Sequence, residues 1–209
     1  MGDAQPEGQL PAVYIIGAQC TGKTTLVHAL HDANPQRCPS LPLQFIAEVA
    51  RKVLQQHHFT RDDIATNPQR ALELQQLILA AQFDEENKHS ASPILCDRSG
   101  VDPIVYAIRY GPEDGRVKLE DAPQCQFFKQ KMKRALVIVC PPQQEWLIDD
   151  GVRLMASSWE EWEGVHLAFF EVLESNEIPF QVIPNGCLDL QDRVDFVFDL
   201  WSGLLSRES

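Results

Sequence analysis

Residues 17–24, GAQCTGKT, satisfy G-x-x-x-x-G-K-[ST] directly after the apolar run AVYIIG (12–17) and directly before a helix-favouring run. No other feature constrains the fold as much, because the pattern works only as a tight turn from a buried strand into a helix. Two glycines permit the backbone geometry. Successive N–H groups and the positive end of the helix dipole then converge on one point, and the lysine reaches the β and γ oxygens of a nucleotide held there. Gly17, Ala18, Gln19, Cys20, Thr21, Gly22, Lys23, Thr24 and Thr25 are therefore the expected nucleotide-binding residues, with the Thr24 hydroxyl a ligand for Mg²⁺. Motors, switches and kinases share this loop, so its purpose is written elsewhere in the chain.

Four further short apolar runs, LQFIA (43–47), PILC (93–96), ALVIVC (135–140) and IPFQVI (178–183), alternate with helical patterns. The helices are expected at 22–31, across EVARKVLQQHH (48–58), from Asn67 as cap with Pro68 at the first position, and at 101–111, 124–134, 158 onward and 190–204. In the third of these, Leu74, Leu77, Ile78 and Ala81 share one face. Ser158 and Glu161 form a capping box for a helix striped by Trp162, Val165, Phe169, Val172 and Leu173. Residues 112–122 read as a polar loop. Buried strands alternating with helices imply an α/β fold, a three-layer P-loop kinase-like sandwich. Its five-stranded parallel sheet is taken in the usual order 2-3-1-4-5, with helices on both faces and a small lid at about 141–158. Residues 1–10 read as a flexible leader and 11–209 as one domain, which a 209-residue chain with 44% apolar residues can fill.

The balance of the chain narrows its partners. A net charge of −12 repels nucleic acid and anionic membrane, and no cluster of Lys and Arg relieves it. No apolar stretch reaches the roughly 18 residues of a membrane span. The nearest two of the six cysteines, Cys125 and Cys140, are 15 residues apart, so neither a zinc knuckle nor a C-x-x-C pair is present. They read as reduced thiols of a cytoplasmic protein. His28, His31, His57, His58, His89 and His166 are not at metal-ligand spacing and read as packed or surface residues.

A parallel sheet binds ligands beyond the carboxyl ends of its strands. Strand two ends in Glu48, with Arg51 three residues on, and strand three in Asp97, Arg98 and Ser99. Asp97 is the first choice for holding Mg²⁺ and handling the proton, Glu48 competes as general base, and Arg98 neutralises charge on a phosphoryl group in transit. A helix cap at Asp97, and a first-turn ion pair at Glu48 and Arg51, are the purely structural alternatives. Asp97–Gly100 (DRSG) also fits the D-x-x-G of a switch GTPase. The guanine-reading N-K-x-D that should follow ALVIVC is replaced by PPQQ, however, and a motor ATPase would show a strand ending in Asp-Glu. After strand four, residues 141–158 stand where small-molecule kinases carry a lid. Arg153 is its arginine, and Trp146, Asp149 and Asp150 are placed to contact an acceptor. Asn185 lies where many such folds wrap adenine, though Asn-Gly is also a turn.

Together GAQCTGKTT, EVAR, DRSGVDPIVYA and DDGVR resemble the family that groups the ribosylnicotinamide kinase domain of the bacterial NadR protein with eukaryotic Ttd14-like P-loop proteins. The resemblance spans about residues 12–200. Its more particular part is Asp97, Arg98, Asp102 and Tyr106 with Asp150, Gly151 and Arg153. It implies a P-loop kinase fold using ATP and Mg²⁺ on a small nucleoside-like or other hydroxylated acceptor, with Asp102 and Tyr106 on the substrate side; a homodimer is compatible with it. Kinase members carry a further lid arginine, and SSWEEWEG has none. Other members resemble GTP or phosphoinositide binders, which leaves a nucleotide-gated binding protein as the alternative.

Overall fold

In the computed structural model, which describes residues 12–143, 146 and 158–208 (backbone alone for 206–208), the strands β1 (Val13–Ile16), β3 (Ile94–Asp97) and β4 (Leu136–Val139) are buried at every position. Strands covered on both faces need no polar alternation, which is why their sequences are continuous apolar runs. β2 (Gln44–Ile46) and β5 (Gln181–Val182) form the edges and are partly exposed. The order is β2-β3-β1-β4-β5 with every pairing parallel, as the sequence implied. β5 is shorter than the run 178–183 that announced it.

Around the sheet lie α1 (Lys23–Arg37), α2 (Ala50–Gln56), α3 (Arg61–Thr66), α4 (Pro68–Lys88), α5 (Asp102–Tyr110), α6 (Gly115–Glu120), α7 (Pro123–Met132), α8 (Trp159–Ser175) and α9 (Leu190–Glu208). Alternate residues of each strand face opposite layers. Val13, Ile15, Leu95 and Ile138 pack on Leu26, Val27 and Leu30 of α1 and on Val197 and Trp201 of α9. Tyr14, Ile16, Cys96 and Val139 pack on α4, α5, α7 and α8. A third cluster of Val49, Val53, Phe59, Ile64, Leu74 and Ile78 joins α2 and α3 to α4.

Several boundaries differ from expectation. α1 runs past His31 through Pro35, and its last turn is tied down where the buried Asn34 accepts the Leu43 N–H at 3.0 Å. α2 begins at Ala50, leaving Glu48 on the segment before the helix. α3 is an additional helix, started by a reciprocal capping box between Thr60 and Asp63. α6 occupies part of the expected loop, held by burial of Leu119. Asn67 and Pro68 act as expected, Asn67 accepting from Arg70 N–H; Ser158 accepts from Glu161 N–H, one half of the expected capping box, while the Glu161 carboxylate accepts from Tyr110 at 3.0 Å.

Register positions the site. Ile15 pairs with Asp97, and Ile46 pairs with Cys96. Asp97, the loop after Ile16 and Glu48 therefore come out together at the carboxyl ends of the strands.

Candidate functional site

Where β1 ends, Gly17 has φ of 135° and a Cβ built there would lie 2.5 Å from the Cys140 carbonyl oxygen. The loop thus passes tightly against the end of β4, a path open to glycine alone. Gly22 (φ 73°) precedes α1, and no side chain caps that helix, so its first N–H groups are left for a ligand. Lys23 is buried among these groups. Its ammonium donates to the Ala18 carbonyl and, at 3.1 Å, to Thr21 Oγ1. Burial, then the charge of Arg98, lowers its pKa to about 8 against the opposing pull of Asp97 and Asp102. Phosphate charge brought beside it would restore its proton's hold.

Asp97 is buried at the carboxyl end of β3 and accepts the Thr24 hydroxyl through Oδ2 at 2.6 Å. Its Oδ1 is buried without a hydrogen-bond partner. A hydroxyl and a carboxylate with an unused oxygen, beside the phosphate loop, are the oxygen donors Mg²⁺ takes alongside water and phosphate. These residues fit that ion. The helix-cap alternative for Asp97 has no support, since neither Val101, the residue preceding α5, nor Asp102 draws on it.

Arg98 is the hub. Its φ of 84° is unusual for a residue with a side chain. The conformation is fixed by its N–H donating to Ile15 O at 3.0 Å and by two buried ion pairs, Nε to Glu48 Oε1 at 2.6 Å and Nη1 to Asp102 Oδ1 at 3.1 Å. Ser99 donates to Asp102 Oδ2 through both its N–H (2.8 Å) and its hydroxyl (2.9 Å). Burial raises the pKa of Asp102, with Arg98 opposing. Burial also raises that of Glu48, but Arg98 together with Lys23 and Arg51 outweighs it, and the carboxyl ends below its ordinary value. Arg51, half exposed, donates to Glu48 Oε2 at 3.1 Å.

These groups border an open cleft whose other walls are Leu54, Ile64, Leu74 and Ile78, with Gln19, Gln75 and Tyr106 between them. Gln19 joins three parts of the molecule. Its Oε1 accepts from Tyr106 (3.0 Å), and its carbonyl accepts from the Trp162 indole of α8 (2.7 Å). On the other side of the loop, Cys20, Gly22 and Thr25 border a second hollow closed by Trp146, Leu188, Leu190 and Arg193. Arg193 is buried, donates to Thr21 O at 3.1 Å and stacks on the Trp146 ring at 4.9 Å.

The structure therefore brings together Lys23, Thr24, Glu48, Arg51, Asp97, Arg98, Asp102 and Tyr106. Trp146 lines the hollow beside Gly22 and Arg193 and not the cleft bordered by Glu48 and Arg98. Asn185 is exposed and does not border the hollow that Leu188, Leu190 and Arg193 line. Asp149, Asp150 and Arg153 lie outside the described residues. Sequence reasoning missed Gln75, Arg193 and the Trp162 bond. For Gln75 a signal existed: Gln75, Gln82 and Glu86 form a polar line along the buried side of α4.

A family model described as an AAA domain matches residues 12–193. A search of curated proteins finds no match. Among solved structures, NadR protein in complex with NAD and AMP-PNP superposes with a TM-score of 0.66 at 19% identity, covering 94% of this chain and 49% of that one. NadR with NR gives 0.67 at 21%, covering 93% and 51%. Deoxyadenosine kinase from M. mycoides with bound dATP gives 0.58 at 14%, covering 92% and 100%. The chain spans about half the length of the NadR chains it matches. At these identities the likeness is one of fold, and the expected P-loop kinase-like architecture and NadR resemblance hold at that level.

Proposed function

This chain belongs to the AAA domain family, and on that premise we propose that it is an ATP- and Mg²⁺-dependent phosphotransferase acting on the hydroxyl of a small, nucleoside-like metabolite. The observation that carries the reading is Arg98: one buried guanidinium, held by Glu48 and Asp102, stands between the phosphate loop and a separate, largely apolar cleft. A binding switch needs the first of these sites and not the second.

The loop amides and Lys23 bind the terminal phosphates. Thr24 and Asp97 would hold Mg²⁺, which would supply charge neutralisation to the phosphoryl group. Glu48 faces the cleft, whereas Asp97 is engaged with Thr24. Of the two carboxylates, Glu48 therefore accepts the acceptor's hydroxyl proton, and Asp97 serves the nucleotide side. Arg98 spreads positive charge toward the group in transit, and Arg153 of the lid segment adds to it. Most of the rate comes from positioning and electrostatics. The crystal structures of NadR with NAD and AMP-PNP or with NR concern that protein; what supports ATP here is the loop and the fold.

The test is product formation with ATP, Mg²⁺ and a panel of nucleosides, sugars and amino alcohols. Acceptor-dependent ADP release with a phosphorylated product is expected. Asp97→Asn should lower turnover about 100-fold or more while ATP still binds, and Glu48→Gln should lower transfer comparably. Nucleotide exchange without turnover on any acceptor would favour the nucleotide-gated binding protein instead.

A further inference from the structure

Among the described residues lining the acceptor cleft, Gln75 has a carboxamide with a hydrogen-bond partner at neither end. Gln75 is 5% exposed, lines the cleft, and its carboxamide hydrogen-bonds to no described residue. Of the neighbouring buried glutamines, Gln82 donates to Glu86 Oε1 at 2.9 Å, and Gln19 accepts from Tyr106 at 3.0 Å through Oε1 while its Nε2 is buried without a partner. A carboxamide withdrawn from bulk water with no internal partner is costly unless something else satisfies it.

The surroundings define what that something is. At one end of the cleft the charges are mutually engaged, since Arg98 pairs with both Glu48 and Asp102. Around Gln75 the walls are Leu54, Ile64, Leu74 and Ile78. A charged group placed against those side chains would be desolvated without a counter-charge from them, and a bare sugar would leave their apolar area unmatched. A flat, neutral heteroaromatic ring matches them. A carboxamide offers a donor and an acceptor side by side, so it pairs with a ring edge presenting the same two groups in reverse.

We propose that Gln75 is the specificity-determining residue for the acceptor, reading the donor–acceptor edge of a nucleobase-like ring while the sugar hydroxyl is turned toward Glu48 and Arg98. This rests on the phosphotransferase reading for the direction of the hydroxyl, but not for the binding of the base. Gln75→Met keeps length, helix propensity and apolar fit while removing both hydrogen-bonding groups. Gln75→Glu keeps the shape and removes only the donors, and serves if the methionine variant does not fold.

The experiment measures nucleoside binding by calorimetry, and kcat/KM for nucleosides against ribose, in the wild type and both variants, with melting temperature as the check on folding. Expected is a loss of about tenfold or more in nucleoside affinity and in the nucleoside-to-ribose ratio of kcat/KM, carried mainly by KM. A folded variant with unchanged affinity and ratio overturns the proposal, as does a wild type that binds no nucleoside. Gln75-dependent nucleoside binding with no phosphate transfer would uphold Gln75 and defeat the phosphotransferase reading instead.

Discussion

At position 17 a side chain has no room, because the Cys140 carbonyl would lie 2.5 Å from the new Cβ and φ is 135°. Gly17→Ala should therefore lower stability by about 3 kcal/mol, combining a conformation reserved for glycine with a backbone clash, and should weaken ATP binding by displacing the loop. Denaturant unfolding and nucleotide titration of the variant check both; an alanine tolerated within 0.5 kcal/mol would contradict the close approach. Residues of this kind were legible in advance. Gly17, Gly22, Lys23 and Thr24 act through a spacing along the chain, since one strand-to-helix turn sets their geometry locally. Arg193 was not, because it carries no local pattern, and Gln75 showed only the polar line it shares with Gln82 and Glu86, which does not say what it faces. Arg193 meets Thr21 across 172 positions of sequence, and only the packing of α9 against α1 brings the two together.

At the scale of the element, α8 shows how burial alone tunes a group. His166 stacks edge-on against Phe170 with ring centroids 4.6 Å apart, its Nδ1 is buried without a hydrogen-bond partner, and burial lowers its pKa from 6.5 to about 4. The folded pKa lies below the unfolded one, so between pH 6.5 and 4 the unfolded chain holds a proton that the folded chain does not. Acid therefore favours unfolding across that window, and the effect is absent above it. The loss attributable to His166 should be on the order of 2 kcal/mol by pH 4, allowing for its partial exposure. His166→Gln should flatten the stability profile between those pH values and leave it unchanged at pH 8. A variant whose acid profile overlays the wild type would remove this assignment. Among the elements themselves, those with a strong period or cap were readable: α4 from Asn67 and Pro68, and α8 from Ser158. α3 and α6 were not expected, since helices of six residues have too few turns to show a period. α3 did carry its Thr60 and Asp63 cap. α6 forms because Leu119 is buried against the core, a reason that lies outside its own sequence.

Across the whole molecule, the layer behind β1 and β3 is joined through one buried carboxylate. Glu86 of α4 accepts from Tyr14 of β1 (2.7 Å), from Gln82 (2.9 Å) and from Lys131 of α7 (2.7 Å). Lys131→Met would leave that carboxylate without its counter-charge, at a cost of about 3 kcal/mol. Adding Glu86→Gln should return part of the loss, because the stranded charge goes with it. Denaturant midpoints of the two single variants and the double variant test the coupling, and strictly additive losses would refute it. The sequence by itself determined the phosphate loop, the alternation of buried strands with helices and the acidic strand ends, because each is set by spacing along the chain or by the period of one element. Only the tertiary structure decided that Glu48 pairs with Arg98 while Asp97 meets Thr24, that Trp146 lies beside Gly22 and Arg193, and that Gln75 lines the cleft bordered by Glu48 and Arg98. Those facts depend on parallel register and on helices packed from distant parts of the chain, and distance in space is not written in the order of residues.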